Sequence, residues 1–373
     1  MSTERILEKL ESVAAIAGEH AAAVDAEASF PTATLRALRE HGFLGLVSAP
    51  AVGGGGASFR PAVDVVERIG RECGSSAMVL CMHYCGVAVI ETHGEDSVRR
   101  RVAKGELLAT LAFSEAGSRS HFWAPLSSAK KERDAIVLEA EKSWVTSASN
   151  ADLYVWSSKP LEQKGESTIW LVPRSAKGLS HPARFDGLGL RGNDSLPVTA
   201  KGVRVKTSDR LGPDGGGFGV MMGVVLPWFS LLSSACSVGL MEAMVQRTCA
   251  HVAGTRFAHL DSSLAQLPTI RAYLARMRVL TDMTRALLDD AAEAVSTSRA
   301  DASLRVLEAK AASGESATQV GDLAMRVCGG AAFRRDVAVE RPFRDARAAT
   351  IMAPTTDALY DFIGKAITGQ DLF

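Results

Sequence analysis

The chain has 373 residues, of which 47% are hydrophobic and 23% charged, which is the composition of an ordinary globular protein with two or three domains. Basic and acidic residues both number 42, and the net charge of zero excludes a bulk attraction for nucleic acid or an anionic membrane. Six scattered cysteines without a CxxC pair predict buried free thiols and no metal site. The charged, helix-periodic N-terminus and the lack of an uncharged membrane-spanning run predict a cytoplasmic protein.

Residues 1–108 are predicted to form an N-terminal helical domain. Apolar residues recur at helical spacing after Pro31, which suits the first turn of a helix. The glycine-rich segment 51–58 has no preceding strand and no following Lys-Ser/Thr, so it predicts a plain loop. The segment 76–92 is almost wholly apolar, which predicts a buried central helix. Three polar side chains interrupt this apolar segment: His83, Tyr84 and Glu91.

Residues 109–212 are predicted to form a central antiparallel β-domain. Short alternating segments such as AIVLEAE, LYVWSS and STIWLVP are separated by Gly, Asn, Asp and Pro, which is typical of an antiparallel sheet or a small barrel. Three tryptophans lie on these strands: Trp144, Trp156 and Trp170.

Residues 213–373 are predicted to form a C-terminal four-helix bundle. The helices are expected near 219–254, 264–296, 301–327 and 354–368, and the first three carry long apolar stripes. Strands do not alternate with helices, and no glycine fingerprint follows a first strand, so a parallel dinucleotide-binding fold is disfavoured. The predicted fold class is α+β and mostly α.

Several segments, in this order, resemble motifs of the acyl-CoA dehydrogenase family. AFSEAGSRS (112–120) resembles its first flavin-binding motif, and KSWVTSASNADLYVW (142–156) resembles the second. GLGLRGNDSLPV (187–198) is similar to the segment before the last strands, and CGGAAF (328–333) and VERPFRDAR (339–347) are similar to the C-terminal signature. The resemblance spans nearly the whole chain, and it implies FAD bound between an N-terminal helical domain, a β-domain and a four-helix bundle.

The resemblance also implies the residues that would bind FAD. Ser114 would lie at the pyrimidine edge of the flavin, Trp144 beside its ring and Thr146 near N5, although a strand pair facing core and solvent would look similar. Ser120 would lie near the pyrophosphate or the pantetheine. The remaining cofactor-binding candidates match positions elsewhere in the family pattern: Arg256, which would grip the pyrophosphate in a neighbouring subunit, Arg326, Gly329, Gly330 and Thr355. Arg341 and Asp345 are expected to form a structural ion pair.

Both family positions for the catalytic base are occupied by residues that cannot accept a proton. The glutamate of a Glu-Gly-Thr tripeptide is replaced in Ala353–Pro354–Thr355, and the alternative position lies near Phe229. Two other acids are candidates for the base: Asp357 about one turn beyond Ala353, and Glu91 on the apolar helix. His83, with Tyr84, resembles the arrangement in flavin monooxygenases of the same superfamily, although a lone histidine on an apolar helix is more often a core residue.

Three functions therefore stay open at this point. The first is α,β-dehydrogenation of an acyl thioester, with an electron-transfer flavoprotein or oxygen as the electron acceptor. The second is flavin-dependent monooxygenation supported by a flavin reductase, and the third is a non-redox or inactive family member. The resemblance further implies a homodimer or homotetramer, because the family completes its FAD site across subunits.

Overall fold

The computed structural model describes residues 3–118, 121–182, 185–259 and 262–372. Five helices form the N-terminal part: α1 (Thr3–Glu27), α2 (Thr32–Glu40), α3 (Phe59–Glu72), α4 (Gly74–His93) and α5 (Asp96–Ala103). Helix α4 is apolar on every side and is therefore buried from Gly74 to Ile90 except at Met82, as the sequence predicts for a central helix.

The glycine-rich segment forms a loop, as predicted. A single turn at Pro50–Val52 ends at Gly53, whose φ of +93° is readily available only to glycine. A Cβ on Gly54 would lie 2.2 Å from the Ser48 carbonyl oxygen, so the loop depends on a close approach of backbone to backbone. The segment thus has a structural role that needs no bound phosphate.

The central part consists of two sheets that pack face to face. The strands are β1 (Ala109–Ala112), β2 (Ser128–Glu132), β3 (Ala135–Val145), β4 (Leu153–Ser158), β5 (Thr168–Pro173), β6 (Leu179–Ser180) and β7 (Leu196–Val205). One sheet has the order β1-β4-β5 and the other β2-β3-β7-β6. The buried rings of Tyr154, Trp156 and Trp170 fill the space between the sheets, together with apolar side chains of β3 and β7.

One strand pair departs from the antiparallel prediction. Strands β1 and β4 are parallel, with Ala109 opposite Leu153 and Ala112 opposite Trp156. The intervening chain carries the β2–β3 hairpin, and this long connection allows the chain to return in the same direction. All other pairs between β1 and β7 are antiparallel.

The C-terminal part is a helical bundle, which confirms the predicted fold class. It comprises α6 (Gly217–Val220), a π-helical turn (Met221–Val225), α7 (Leu226–Gly254), the short strands β8 (Arg256–Phe257) and β9 (Ser262–Ser263), α8 (Pro268–Ser296), α9 (Ala302–Cys328), α10 (Glu340–Ala346) and α11 (Thr356–Ile367). Helices α7, α8 and α9 pack against one another, and α11 packs on α9.

Two helical segments are long and apolar enough to cross a membrane by length and composition. They are 74–93 and 217–254, and 89% and 72% of their most apolar windows are buried inside the fold. Helix α7 also packs closely against α3, where a Cβ on Gly239 would lie 2.4 Å from the Glu67 carbonyl oxygen. Both segments are thus core helices of this fold.

Candidate active site

A cavity of about 850 Å³ lies where the three parts of the chain meet. Helix α4 contributes Met78 and Met82, the end of β1 contributes Leu111, and α7 contributes Phe229. The remaining wall comes from the β-domain, from residues 187–190 and from the segment that follows α10. The walls are mostly apolar with a few polar groups, which is the usual character of a small-molecule site.

Hydroxyl groups line one side of this cavity. Thr146 Oγ1 lies 3.1 Å from Ser195 Oγ, and both side chains are buried and line the cavity. Ser114 also lines it, while its backbone carbonyl accepts a 2.8 Å hydrogen bond from the Ser143 N–H. The structure therefore places both Ser114 and Thr146 at this cavity, and their roles toward a flavin stay a prediction.

Trp144 presents a large apolar surface to the cavity. The register of β3 against β7 shifts between Lys142 and Val145, and within this irregularity Trp144 has a φ of +55°. The indole is 70% exposed and lies edge-on to the Phe185 ring at 6.4 Å between ring centroids. A planar ring system could stack on this uncovered face, and the hydroxyl groups nearby could meet its polar edge. The residues therefore fit a flavin ring.

Glu115 lines the cavity, but its charge is neutralised from within the protein. Its carboxylate receives the fully buried Lys142 ammonium at 2.5 Å and the backbone N–H groups of Leu126 and Ser127 at 2.6 and 3.0 Å. Burial raises the pKa of Glu115, but Lys142 and these donors together hold it below its usual range. Burial also lowers the pKa of Lys142 to about 8, so the pair stays ionised near neutral pH. A carboxylate held in this way is a poor proton acceptor.

The wall at the usual base positions holds no acid. Ala353 and Phe229 both line the cavity, and Ala353 precedes Pro354 through a cis peptide bond. Behind this wall lies Lys310, which is 2% exposed and donates to the carbonyl oxygens of Met352 and Pro354 at 3.0 and 2.7 Å. Its ammonium also lies 5.6 Å from the centroid of the Phe229 ring, so Lys310 contacts Phe229 and the two residues that flank Ala353.

Sequence reasoning missed Lys310, although a signal was present. The lysine follows Val306 and Leu307 by four and three residues on an apolar stripe of α9, where a charged side chain is unusual. No carboxylate pairs with it among the residues that the structure describes. Burial therefore lowers the pKa of Lys310 to about 7.

His83 lies in the core, outside the cavity lining. The ring is fully buried, and its Nε2 lies 2.9 Å from the Leu44 carbonyl oxygen, while its Nδ1 accepts from the Ala109 N–H at 3.0 Å. Both ring nitrogens are thus engaged, and burial lowers the pKa of His83 to about 4. Tyr84 is buried beside it and donates to the Phe43 carbonyl oxygen at 2.8 Å. This geometry favours a structural histidine over a catalytic one.

The two acids suggested as substitute bases also lie outside the cavity lining. Glu91 pairs with Arg99 at 2.9 Å and accepts from the Ala49 N–H at 3.2 Å. Asp357 is exposed in the first turn of α11, where a negative charge suits the helix dipole. Neither residue lines the cavity, so the structure gives no support to a role for either in proton transfer.

The remaining cofactor candidates are scattered. Thr355 lines the cavity and caps α11 by accepting a weak hydrogen bond from the Ala358 N–H at 3.4 Å. Arg256 is exposed on β8, and Arg326 lies over the Tyr273 ring at 5.6 Å. Gly329 and Gly330 are exposed at the end of α9, with open space where a Cβ would stand. Ser120 lies outside the described residues. The assignment of these residues to FAD stays a prediction.

The expected ion pair between Arg341 and Asp345 is corrected by the structure. Arg341 donates to the Glu72 carbonyl oxygen at 3.2 Å, and Asp345 accepts from the Leu190 N–H at 2.6 Å. The arginine of this region that forms ion pairs is Arg344, which pairs with Asp25 and Glu340, each at 2.6 Å. Two residues four apart on α10 can face each other, but each finds a nearer partner on another element.

Three family models match successive parts of the chain. The acyl-CoA dehydrogenase N-terminal, middle and C-terminal domains match residues 4–106, 110–203 and 215–368. Together these matches cover nearly the whole chain, in the order in which the three parts of the structure occur.

Curated proteins and solved structures are similar over most of the chain. The mitochondrial short-chain specific acyl-CoA dehydrogenase of Homo sapiens is 27% identical over 348 residues, covering 90% of this chain and 82% of the relative. The 3-sulfinopropanoyl-CoA desulfinase of Paraburkholderia xenovorans is 25% identical, covering 95% and 92%. Butyryl-CoA dehydrogenase from Megasphaera elsdenii superposes with a TM-score of 0.90 at 18% identity, covering 99% of each chain. The ordered domain matches and the shared architecture together place the chain in the acyl-CoA dehydrogenase family.

Proposed function

We propose that the chain oxidises an acyl thioester in the central cavity. As a member of its family it is an FAD-dependent oxidoreductase, and bound FAD supplies a two-electron acceptor for hydride. The observation that carries the proposal is the cavity itself, in which Ser114 and Thr146 offer hydroxyl groups beside the uncovered indole of Trp144. These side chains would orient the flavin ring, and the apolar wall from α4 and α7 would exclude water from the acyl chain.

The oxidation removes a proton from the α-carbon and hydride from the β-carbon of the acyl group. Among the described residues no acid lines the wall formed by Ala353 and Phe229, and Glu115 is held by Lys142. The α-proton would therefore have to pass to water, which is a much weaker base than a carboxylate. Loss of a general base typically lowers a rate by about a hundred- to ten-thousand-fold, so a slow reaction or an unusually acidic α-proton is expected.

An anaerobic titration with acyl-CoA esters tests the redox proposal. Short, branched, aromatic and long esters are added to the FAD-bound protein while the visible absorbance of the flavin is followed. We expect bleaching with at least one ester, because a bound, oxidisable acyl group would reduce the flavin. A flavin that stays oxidised throughout the series would contradict dehydrogenation of these substrates.

The variant Ala353→Glu tests the role of the empty base position. A carboxylate at this point of the wall should raise the rate of bleaching by about a hundredfold if removal of the α-proton limits the reaction. Ala348→Glu is the matched control, because Ala348 lines the same wall but does not occupy the base position. Equal rates in the parent protein and in Ala353→Glu would show that α-proton removal does not limit the rate.

A non-redox reaction is the second candidate. Dehydrogenation needs an acid that neither base position supplies. In addition, the match to the relative named 3-sulfinopropanoyl-CoA desulfinase covers 95% of this chain. In that case the protein would convert a thioester while the flavin stays oxidised, and product analysis by mass spectrometry would detect the change. Monooxygenation is not favoured by the structure, because both nitrogens of His83 are engaged in the core.

The proposal also covers the location, the oligomeric state and the redox partner of the protein. We infer a cytoplasmic enzyme, a homodimer or homotetramer, and an electron-transfer flavoprotein as the acceptor of electrons from dehydrogenation. A flavin reductase would be needed only if monooxygenation occurred.

A further inference from the structure

The charged groups around the cavity leave an uncompensated positive charge. Among the described residues three ionisable side chains line it: Glu115, Arg344 and Arg347. Glu115 forms an ion pair with Lys142, and Arg344 forms ion pairs with Asp25 and Glu340. These two groups have little remaining capacity to bind a charged ligand.

Arg347 differs from the other two in having no partner of its own. It lies just after α10, is exposed and lines the cavity, and its guanidinium forms no ion pair or hydrogen bond with the residues that the structure describes. A guanidinium offers five N–H donors in a fork that matches the two oxygens of a carboxylate. Arg347 is therefore available to a ligand.

A second basic side chain, Lys310, lies behind the cavity wall. The Lys310 ammonium is buried, and it contacts two carbonyl dipoles and the face of the Phe229 ring rather than a carboxylate. Its titratable neighbour on α4 is the thiol of Cys81, which burial keeps protonated because it raises the pKa well above its usual value. Burial lowers the pKa of Lys310 to about 7, so the amine is only partly protonated at neutral pH, and an anion on the other side of the wall would favour its protonated, positively charged form.

We propose that the cavity selects an acyl thioester whose acyl group ends in an anionic oxyacid such as a carboxylate, bound by Arg347 and favoured by the Lys310 charge behind the Met352–Pro354 wall. The proposal rests on the proposed thioester function. A glutamate at position 353 would repel such an acyl group, whereas Ala353 and Phe229 leave the positive charges unopposed. The substitution of the base position and the unpaired cations are thus parts of one electrostatic arrangement.

Matched pairs of thioesters test this selectivity. Butyryl-CoA and succinyl-CoA carry four-carbon acyl groups and differ in the terminal carboxylate, and their Kd values for the FAD-bound protein are measured by calorimetry. We expect succinyl-CoA to bind about tenfold tighter or more, because a hydrogen bond between charged groups supplies a factor of that size. Equal Kd values for the pair would overturn the proposal and leave the thioester function intact, whereas failure to bind either ester would contradict the thioester function.

The same pair is also measured as pantetheine thioesters, which lack the nucleotide phosphates of CoA. A preference for the succinyl ester in both series assigns the selectivity to the acyl carboxylate. If the preference is absent in both series and only the CoA esters bind, the positive charge serves the phosphates, and the proposal is overturned.

Two variants locate the selectivity. In Arg347→Met the ratio of the two Kd values should lose most of its tenfold excess. Lys310→Met should reduce the same ratio by a smaller factor, since its charge acts through the wall. Because each ratio is taken within one variant, a general loss of stability cancels. Arg36→Met is the control, since Arg36 is an exposed arginine on α2, 74% accessible and outside the cavity lining, and should keep the parent ratio. An unchanged ratio in Arg347→Met would overturn its assignment.

Discussion

At the scale of single residues, burial decides what His83 can do. The ring bridges two elements, because it contacts the Leu44 carbonyl oxygen and the Ala109 N–H. Its pKa of about 4 means that the folded protein holds a neutral ring over the range in which an ordinary histidine becomes protonated. His83 thus links the N-terminal helices to the start of the β-domain, and this linkage weakens in acid.

His83 should make the protein less stable as the pH falls. Between about pH 6.5 and 4 the unfolded chain binds a proton that the folded chain does not, so the free energy of unfolding decreases with falling pH. A shift of about 2.5 units corresponds to a loss of about 3 kcal/mol. His83→Gln should lose this part of the pH dependence in urea unfolding at pH 5 and pH 7. His20→Gln, at an exposed histidine of α1, should keep the parent difference.

Burial also makes the two charges of the Glu115–Lys142 pair depend on each other. The ammonium donates to Glu115, to the Ser157 carbonyl oxygen at 2.8 Å and to the Ser157 hydroxyl at 3.0 Å, so all three of its protons are used. The removal of one charge would leave the other buried without a counter-charge. The pair therefore holds the strand end that carries Ser114 against β3 and β4.

Glu115→Gln should destabilise the protein by about 3–5 kcal/mol, as is usual when one partner of a buried pair is removed. Chemical denaturation at neutral pH measures this loss. The control is Glu132→Gln, which removes an exposed pair with Arg204 and should change stability by no more than about 1 kcal/mol. Similar losses in the two variants would contradict a special role of the buried pair.

At the scale of elements, the crossing of α3 and α7 depends on small residues. Gly70 and Gly239 face each other there, and added Cβ atoms would meet backbone atoms of the opposing helix at 3.2 and 2.4 Å. Side chains at these positions would push the helices apart. Since α7 also carries Phe229 into the cavity, this close crossing fixes part of the site.

Gly239→Ala should destabilise the protein by about 1–3 kcal/mol, which is the usual cost of overpacking a core. Gly364→Ala on α11 is the matched control, because no atom lies within 4 Å of the added Cβ, and alanine is the better helix former by up to about 1 kcal/mol. Thermal unfolding should therefore shift down in the first variant and stay level or rise in the second. A rise in both would show that the helices can separate without loss.

At the scale of the whole molecule, the cavity is a junction of the three parts of the chain. Its walls come from α4, from the β-domain and from the segments after the π-helical turn and α10. A ligand that fills this junction binds the folded chain only, so it should stabilise all three parts together.

Removal of FAD should therefore lower the melting temperature. FAD at about a hundred times its Kd adds about 2.7 kcal/mol to the free energy of unfolding, or about 2–4 °C for a chain of this size. Differential scanning fluorimetry of the flavin-free and reconstituted protein measures the shift. The Trp144→Ala variant should show a smaller shift, because it lacks the indole that covers one side of the proposed flavin site.

The predicted oligomer also belongs to this scale. Val279 and Met283 lie one turn apart on α8 and are 54% and 64% exposed. Light scattering of the purified protein would decide between monomer, dimer and tetramer. The oligomeric state stays a prediction until then, as does the role of Arg256 in a neighbouring subunit.

The sequence by itself determined the order of the parts and much of the cavity. Three local patterns predict these elements: the apolar run of α4, the alternating strands and the long apolar stripes of the C-terminal helices. Each element forms in the way that buries its apolar side chains. The motifs around Ser114 and Thr146, and the replacement of the family glutamate by Ala353, were also visible in the sequence.

Only the tertiary structure decided which polar residues face the cavity. His83 and Glu91 interrupt the apolar stretch of α4, Lys310 interrupts the apolar stripe of α9, and the sequence does not show which way such a polar side chain points. The direction depends on partners distant in the chain: Leu44 and Ala109 engage His83, Arg99 engages Glu91, and the carbonyl groups of Met352 and Pro354 engage Lys310. Pairing between distant residues therefore separates structural polar groups from those that remain available to a ligand.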